Sequence, residues 1–364
     1  MKILFYLVHP AHFHLFKNVI KKLKLKNHEI FITIKKKDVL EQLLVENNFP
    51  FYNIQPIERK STKIGLIKGA AVRAIKHFQF INKNRVDVIL SSAAELGPIA
   101  KLYGITFINL FEDDLTLFPV YSKILGPFVE SLVVPASCKT GNWEYKTIKY
   151  NGYQELSYLH PKYFTPDYSK VNKYFDSKRK NFIIRFAKLT AWHDDGITGL
   201  TESIFEEIID ILEPHGNILI TSEIKLNSKY DKYFLNIPVS DMHHVLYYAD
   251  MFIGDSQTMS AEAAVLGTPS IRFNDFVGKL GYLEELEHKY GLTYGIKTSQ
   301  PEKLLLKINE FLNIDNIKQD FQKRRQKMIS EKIDVASFIV WFVENYPKSV
   351  EILKTNLDYQ FRFK

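Results

Sequence analysis

The sequence has a single cysteine and no long apolar run. Cys138 is the single cysteine among 364 residues, which excludes an internal disulfide and any metal site made of several thiolates. No run of eighteen apolar residues occurs, so the sequence predicts no transmembrane helix. The apolar start, residues 1–8, runs directly into His9-Pro10 and is too short for a signal peptide. These absences predict a cytoplasmic protein.

Acidic residues are missing from one segment. Between Lys60 and Arg85 there are seven Lys and Arg and no Asp or Glu. Residues 1–90 hold 17 basic and 6 acidic residues, whereas the remaining chain holds 32 and 35, so the net charge of +8 comes entirely from the first quarter. Such a field attracts acidic substrates, polyanions or anionic membranes. No nucleic-acid-binding motif accompanies it, and we predict no nucleic-acid partner.

The acid-free segment, residues 60–85, also has helical periodicity. Its apolar residues recur at helical spacing with basic residues around them: Ile64, Ile67, Ala71, Ile75 and Phe78. One interpretation is an amphipathic helix lying peripherally on the inner face of the cell membrane, or binding a lipid-linked molecule. The other is a helix whose apolar face packs on a sheet while its lysines are solvated.

Strand and helix patterns alternate along most of the chain. Buried-strand runs such as Lys2–Val8 alternate with amphipathic helices up to residue 110, and a second series begins near residue 181. This predicts an α/β fold with two Rossmann-like domains facing across a cleft. We assign residues 1–165 to the N-terminal domain, 166–340 to the C-terminal domain and 341–364 to a helical tail. In one arrangement this tail crosses back to the N-terminal domain. The proline-punctuated middle is predicted to be irregular, and residues 316–342 to form one helix.

The most informative stretch is residues 248–271, which predicts a strand, a polar turn, a helix and another strand. The turn and the first helical turn supply Asp255, Ser256, Thr258 and Met259, and Glu262 follows one turn later. Free N–H groups at such a helix start can bind a diphosphate, and Glu262 can accept hydrogen bonds from ribose hydroxyls. The alternative is that Ser256 and Thr258 cap the helix while Glu262 is a solvated acid.

Other candidate ligands of a diphosphate or a sugar follow predicted strands of the second domain. Arg185 ends the first strand and can neutralise a diphosphate, or it can form a structural ion pair. The remaining candidates are His193 in the next loop, Ser222 and Glu223 after the following strand, and His243 on the helix before residue 251.

Three histidines, His9, His12 and His14, follow the first strand of the N-terminal domain. Histidine titrates near neutral pH, so His12 or His14 suits a general base better than a metal ligand, and we predict no metal site. Asp113 and Asp114 follow another buried strand and are candidate orienting carboxylates or acid–base groups; solvated loop acids are the alternative.

The C-terminal motif resembles the nucleotide-sugar signature of GT-B glycosyltransferases and of non-hydrolysing UDP-N-acetylglucosamine 2-epimerases. The matching residues are Asp255, Ser256, Glu262, Ala263, Ala264, Gly267 and Pro269. Gln257-Thr258 stands where these relatives often have Gly-Gly. The resemblance implies a UDP-sugar bound as substrate, with no further cofactor, and places His243, or its neighbour Met242, beside the base of the nucleotide.

The N-terminal motif resembles a family of predicted GT-B glycosyltransferases of undefined activity. Its Pro-x-His-x-His-x-Phe opening matches residues 10–16, and its other motifs match Asn151–Leu156, Arg185-Phe186 and His193-Asp194. His12 also falls where the lipid II-forming N-acetylglucosaminyl transferase and plant-type glycosyltransferases have a histidine. In the plant-type enzymes this histidine is the acceptor base, which implies that role for His12.

Together these motifs predict a metal-independent glycosyltransferase. It would move a sugar from a nucleotide-sugar, UDP-linked by resemblance, to an envelope glycan or lipid-linked acceptor in polysaccharide synthesis. A UDP-sugar 2-epimerase or hydrolase using the same nucleotide site is the alternative. A non-catalytic protein that binds nucleotide-sugars is a third hypothesis.

Overall fold

A computed structural model describes residues 1–37, 39–55, 63–188 and 198–364. The chain divides into two compact units. The first unit comprises residues 1–158 and 333–364, and the second comprises residues 159–332. The chain therefore returns to the first unit at Ile333, whereas the sequence analysis assigned residues 333–340 to the second domain.

Each unit contains one parallel β-sheet, and all pairings between the described strands are parallel. The strands are β1 (Lys2–Leu7), β2 (Glu29–Lys35), β3 (Tyr52–Gln55), β4 (Val88–Ser91), β5 (Thr106–Leu110), β6 (Ser131–Pro135), β7 (Thr147–Tyr150), β8 (Lys180–Phe186), β9 (Gly216–Ser222), β10 (Met251–Gly254), β11 (Ser270–Phe273) and β12 (Tyr294–Ile296). The first sheet has the order β3-β2-β1-β4-β5-β6-β7, and the second has the order β12-β11-β10-β8-β9.

Helices connect most of the consecutive strands, as is usual for parallel pairing. They are α1 (Pro10–Leu25), α2 (Leu40–Glu46), α3 (Lys63–Asn84), α4 (Gly97–Tyr103), α5 (Pro119–Leu125), α6 (Leu156–Leu159), α7 (Glu202–Leu212), α8 (Met242–Tyr248), α9 (Gln257–Leu266), α10 (Gly281–His288), α11 (Pro301–Leu312), α12 (Ile317–Glu331), α13 (Val335–Glu344) and α14 (Lys348–Thr355). The predicted α/β class with two Rossmann-like domains is confirmed. Within the described ranges, no helix is both long and apolar enough to cross a bilayer.

The apolar strands lie at the centres of the two sheets. Residues 3–7 of β1 are fully buried between β2 and β4, which explains their uninterrupted apolar run. In the second sheet, Phe252 and Ile253 of β10 are equally buried between β8 and β11. Parallel strands end at a common edge, so the loops that follow them meet there.

Two parts of the sequence prediction need correction. The middle of the chain was predicted to be irregular, but it contains β6 and β7, which are short and closely flanked by turns. The single helix predicted over residues 316–342 is two helices, because the chain leaves the helical conformation at Lys332. Asp334 then caps the second helix by accepting a hydrogen bond from the Ser337 N–H at 3.0 Å.

The basic helix α3 buries a polar face. Arg73, His77 and Ile81 are buried, whereas Ile75 and Phe78 of the predicted packing face are exposed. Hydrogen bonds explain the reversal, since Arg73 Nε donates to Glu95 Oε2 at 2.9 Å and Tyr6 Oη donates to the same oxygen at 3.0 Å. Glu95, which follows β4, therefore pairs with Arg73.

Candidate functional site

The turn between β10 and α9 is built as the sequence predicted. Ser256 is the N-cap of α9, and its Oγ accepts a hydrogen bond from the Met259 N–H at 3.3 Å. At the other end, Gly267 adopts φ 74°, a left-handed conformation that favours glycine and ends the helix. Residues 256–259 are half-buried, so the start of α9 is accessible. The first N–H groups of a helix have no acceptor within it, which makes this end suitable for an anion.

His243 and Glu262 form a buried pair beside this turn. His243 Nε2 lies 2.9 Å from Glu262 Oε1, and both side chains are 6% exposed. His243 comes from α8 and Glu262 from α9. The sequence predicted both as nucleotide-binding residues but not their contact. An ionised carboxylate can accept up to four hydrogen bonds, and the contact with His243 is one of those of Glu262.

Asp255 accepts hydrogen bonds from backbone groups near both ends of the loop that follows β8. Its Oδ1 accepts a hydrogen bond from the Ala187 N–H at 2.7 Å, and its Oδ2 accepts one from the Leu200 N–H at 3.1 Å. Burial raises the pKa of Asp255 to about 6, although these N–H groups and Arg185 favour its charged form. Asp255 was predicted as a ligand of the nucleotide-sugar, and the structure shows it holding backbone groups.

Asp275 is a second anchor of this loop, which the sequence analysis missed. Its Oδ2 accepts hydrogen bonds from the Thr198 N–H at 3.0 Å and from Thr198 Oγ1 at 2.7 Å. Its Oδ1 accepts one from Thr298 Oγ1 at 2.5 Å. The position of Asp275 two residues after β11, at the same edge of the sheet, was the available indication. His193, predicted in this loop, lies outside the described residues.

Arg185 and Glu223 form an ion pair at the ends of β8 and β9. Glu223 Oε2 also accepts a hydrogen bond from the Lys188 N–H at 2.9 Å. The hydroxyl of Ser222 closes a local turn, donating to the Ile224 carbonyl at 2.7 Å. The structure thus brings the predicted Arg185 and Glu223 together, and it gives Ser222 a contact within its own loop.

In the first unit, His12 lies at the start of α1 beside the end of β1. Its Nδ1 accepts a hydrogen bond from the Val8 N–H at 3.3 Å. Burial lowers the pKa of His12 to about 3, and the charge of Lys37 contributes in the same direction. A neutral ring that accepts at Nδ1 carries its proton on Nε2. In this tautomer Nε2 donates a hydrogen bond, whereas the sequence analysis predicted His12 as a base.

We expect His12 to stay neutral between pH 5 and 8, with its proton on Nε2, because its pKa lies far below this range. Nitrogen-15 NMR of the imidazole rings measures both the charge and the tautomer, and His12→Gln identifies the signal. A His12 ring that titrates near pH 6.5, or that carries its neutral-state proton on Nδ1, would contradict this assignment.

The other predicted catalytic residues of the first unit are His14, Asp113 and Asp114, and their surroundings differ. The His14 ring packs against Tyr158, with centroids 5.2 Å apart. Asp114 is buried, and its Oδ1 accepts a hydrogen bond from the Lys139 N–H at 2.6 Å, which connects the loops after β5 and β6. Asp113 is half-buried. Asp114 therefore has a structural contact, and Asp113 is the more accessible carboxyl.

Two further carboxyl groups lie together at this edge. Glu112 Oε1 accepts a hydrogen bond from the Gln154 N–H at 2.7 Å, which brings Glu112 beside Glu155. Burial and the neighbouring Glu155 raise the pKa of Glu112 well above its usual range. Neither residue was a predicted site residue, although Glu155 belongs to the motif Asn151–Leu156.

Two cavities lie at the opposite, amino edge of the second sheet. A cavity of about 570 Å³ is lined by Lys180, Asp250 and the first turns of α12, and another of about 380 Å³ is lined by Gly216 and Asn217. Neither cavity includes a predicted site residue. Among the described residues, no three His, Cys, Asp or Glu side chains are grouped to hold a metal ion.

A family model with the description "Protein of unknown function (DUF354)" matches residues 1–346. The chain belongs to this family. The description of the DUF354 family states no activity, and the comparison with curated proteins found no match.

Solved structures show what this DUF354 protein resembles in fold. S. aureus MnaA in complex with UDP matches with a TM-score of 0.67 and 14% identity, over 96% of this chain and 97% of that one. The UDP-GlcNAc 2-epimerase of Neisseria meningitidis, bound to UDP-GlcNAc, matches with a TM-score of 0.60 and 12% identity, over 91% and 99%. The spinosyn rhamnosyltransferase SpnG, complexed with spinosyn aglycone, matches with a TM-score of 0.61 and 14% identity, over 95% of this chain and 100% of that one.

These identities are low, so the likeness establishes the fold. The DUF354 protein shares the fold of GT-B glycosyltransferases and UDP-GlcNAc 2-epimerases, which confirms the resemblance stated from sequence.

Proposed function

We propose that this protein is a glycosyltransferase that binds a UDP-linked sugar at the carboxyl edge of the second sheet. The observation that carries the proposal is the accessible start of α9, capped by Ser256, beside the buried pair of His243 and Glu262. A diphosphate at the start of α9 would accept hydrogen bonds from the N–H groups of Gln257 and Thr258. Two structures of similar fold, MnaA and the Neisseria epimerase, contain UDP or UDP-GlcNAc.

Further residues of the second unit would complete the donor site. Glu262 would accept hydrogen bonds from the ribose hydroxyls, with His243 orienting it near the base. Arg185 would stabilise the departing diphosphate, exchanging part of its contact with Glu223 for phosphate oxygens. Donor-derived UDP would be the leaving group, and the reaction would need no other cofactor.

The first unit would bind the acceptor, a glycan or lipid-linked molecule of envelope polysaccharide synthesis. SpnG, whose fold is similar, was solved with its aglycone. The acceptor oxygen would form a bond to the anomeric carbon while the bond from that carbon to the diphosphate breaks. We propose Asp113 as the group that takes the hydroxyl proton. The Nε2–H of His12 would donate a hydrogen bond that orients the acceptor.

A UDP-sugar 2-epimerase or hydrolase is the second candidate. It is favoured by the Neisseria UDP-GlcNAc 2-epimerase, which has a similar fold and was solved with UDP-GlcNAc. MnaA was solved with UDP, and the Neisseria relative is an epimerase, so the same nucleotide site suits this chemistry.

Assays of UDP release distinguish these functions. We expect the purified protein to release UDP from a UDP-sugar when a glycan or lipid-linked acceptor is present, and to release little without it. A new epimer, or UDP and free sugar formed without acceptor, would favour the second candidate. Binding of UDP-sugars without turnover under every acceptor condition would contradict both and favour a non-catalytic binding protein.

A further inference from the structure

Two neighbouring helices of the first unit expose large apolar side chains. Val72, Ile75 and Phe78 of α3 are 47%, 58% and 45% exposed, and Leu102 of α4 is 72% exposed. The rings of Phe78 and Tyr103 lie 5.2 Å apart, which joins the two helices into one surface. We call these four exposed side chains the α3–α4 apolar surface.

The packing of α3 keeps this surface exposed to solvent. Its opposite face is buried through Arg73, His77 and Ile81. Arg73 donates to Gln55 Oε1 at 2.6 Å as well as to Glu95, and His77 Nε2 lies 3.1 Å from Thr33 Oγ1. Turning α3 to cover Ile75 and Phe78 would break these buried bonds, and unpaired buried polar groups are costly. The apolar surface is therefore a stable feature of the fold.

The two helices that form this surface carry charged side chains of one sign only. Neither α3 nor α4 contains an Asp or Glu, and exposed lysines lie on both helices: Lys76 and Lys83 on α3, and Lys101 on α4. Glu95 is paired with Arg73, which is itself buried, so it offsets that charge rather than those of the exposed lysines. Exposed apolar side chains next to uncompensated lysines are the combination that binds anionic lipid surfaces.

We propose that the α3–α4 apolar surface binds the protein peripherally to an anionic membrane. Val72, Ile75, Phe78 and Leu102 would enter the boundary between headgroups and acyl chains, and the lysines would contact anionic headgroups. A second copy of the chain is a poorer occupant, because a two-fold symmetric contact would bring two acid-free, lysine-bearing surfaces together. This surface contains no residue of the proposed donor site, so this inference and the proposed function succeed or fail separately.

Vesicle flotation tests the inference directly. The protein is mixed with vesicles of phosphatidylcholine alone, or of phosphatidylcholine with phosphatidylglycerol. We expect flotation with the anionic vesicles, weakened by high salt because surface charges are screened. The double variant Ile75→Glu with Phe78→Glu should bind about tenfold less, since it replaces two inserted apolar side chains by charges. Both positions are exposed, so the fold should be kept, and circular dichroism checks this.

The matched control is Leu306→Glu, which changes a 68% exposed leucine on α11 of the second unit. It should float like the unchanged protein. A variant with Lys76→Gln and Lys101→Gln should lose preference for anionic vesicles while its apolar side chains remain. No flotation with either vesicle, or equal flotation of the double glutamate variant, would overturn the inference. Dimers that the glutamate variant dissociates would instead assign the surface to a second copy.

Discussion

Replacing Glu262 with alanine should lower the affinity for UDP roughly a hundredfold, since hydrogen bonds to a charged group contribute about 1.5–3 kcal/mol each. In the proposed complex Glu262 accepts hydrogen bonds from the ribose while holding His243 at 2.9 Å. The change would remove the ribose contacts and the partner of a buried histidine together. Titration calorimetry with UDP measures the affinity.

Two variants show whether the loss is specific. Glu262→Gln keeps an oxygen and nearly the same shape, so it should retain more affinity than the alanine variant. Glu285→Gln is the matched control, because Glu285 also pairs with a buried residue of the second unit, Lys332, at 2.8 Å. It should lower stability without lowering the affinity for UDP. If Glu262→Ala binds UDP as well as the unchanged protein, the assignment of Glu262 to the nucleotide is wrong.

Replacing Asp255 with alanine should destabilise the second unit by about 3 kcal/mol, since two backbone N–H groups lose a buried, charged acceptor. These are the N–H groups of Ala187 and Leu200. For a unit of this size, the thermal midpoint should fall by roughly 6–12 °C. Differential scanning calorimetry measures it. Gly199→Ala should also lower the thermal midpoint, because a Cβ there would collide with the Asp255 carboxylate.

The pH dependence of stability gives an independent check on Asp255. Burial raises its pKa from 3.8 to about 6, so the folded unit keeps this proton over a range where the unfolded chain has lost it. The resulting stabilisation is complete below about pH 4 and is lost as the pH rises through about 6. Asp255→Asn lacks this titration. The stability of the unchanged protein relative to Asp255→Asn should therefore fall over this range, and a flat difference would contradict the burial of Asp255.

Local patterns made much of the second unit predictable. The strand, the cap at Ser256, the helix and its end at Gly267 follow from neighbouring residues, and the structure reproduces them. The contact between His243 and Glu262 joins two helices, and no periodicity in the sequence reports such a pairing. The same holds for Asp255, whose partners are backbone groups of a distant loop.

Local patterns were misleading in the first unit. The apolar spacing of α3 predicted Ile75 and Phe78 as a packing face, but buried hydrogen bonds of Arg73 and His77 select the opposite face. Residue propensities place arginine in solvent, because they do not include a partner distant in the sequence, such as the carboxylate of Glu95. Similarly, β6 is a short strand of five residues that ends in Pro135. Because turn-forming residues surround it, the sequence pattern did not indicate a strand.

A crystal structure of the protein with UDP tests the central proposal most directly. The proposal predicts the diphosphate at the start of α9, within hydrogen-bond distance of the N–H groups of Gln257 and Thr258, and the ribose at Glu262. UDP bound instead in the cavity of about 570 Å³ beside Lys180 and Lys318, at the other edge of the sheet, would contradict it.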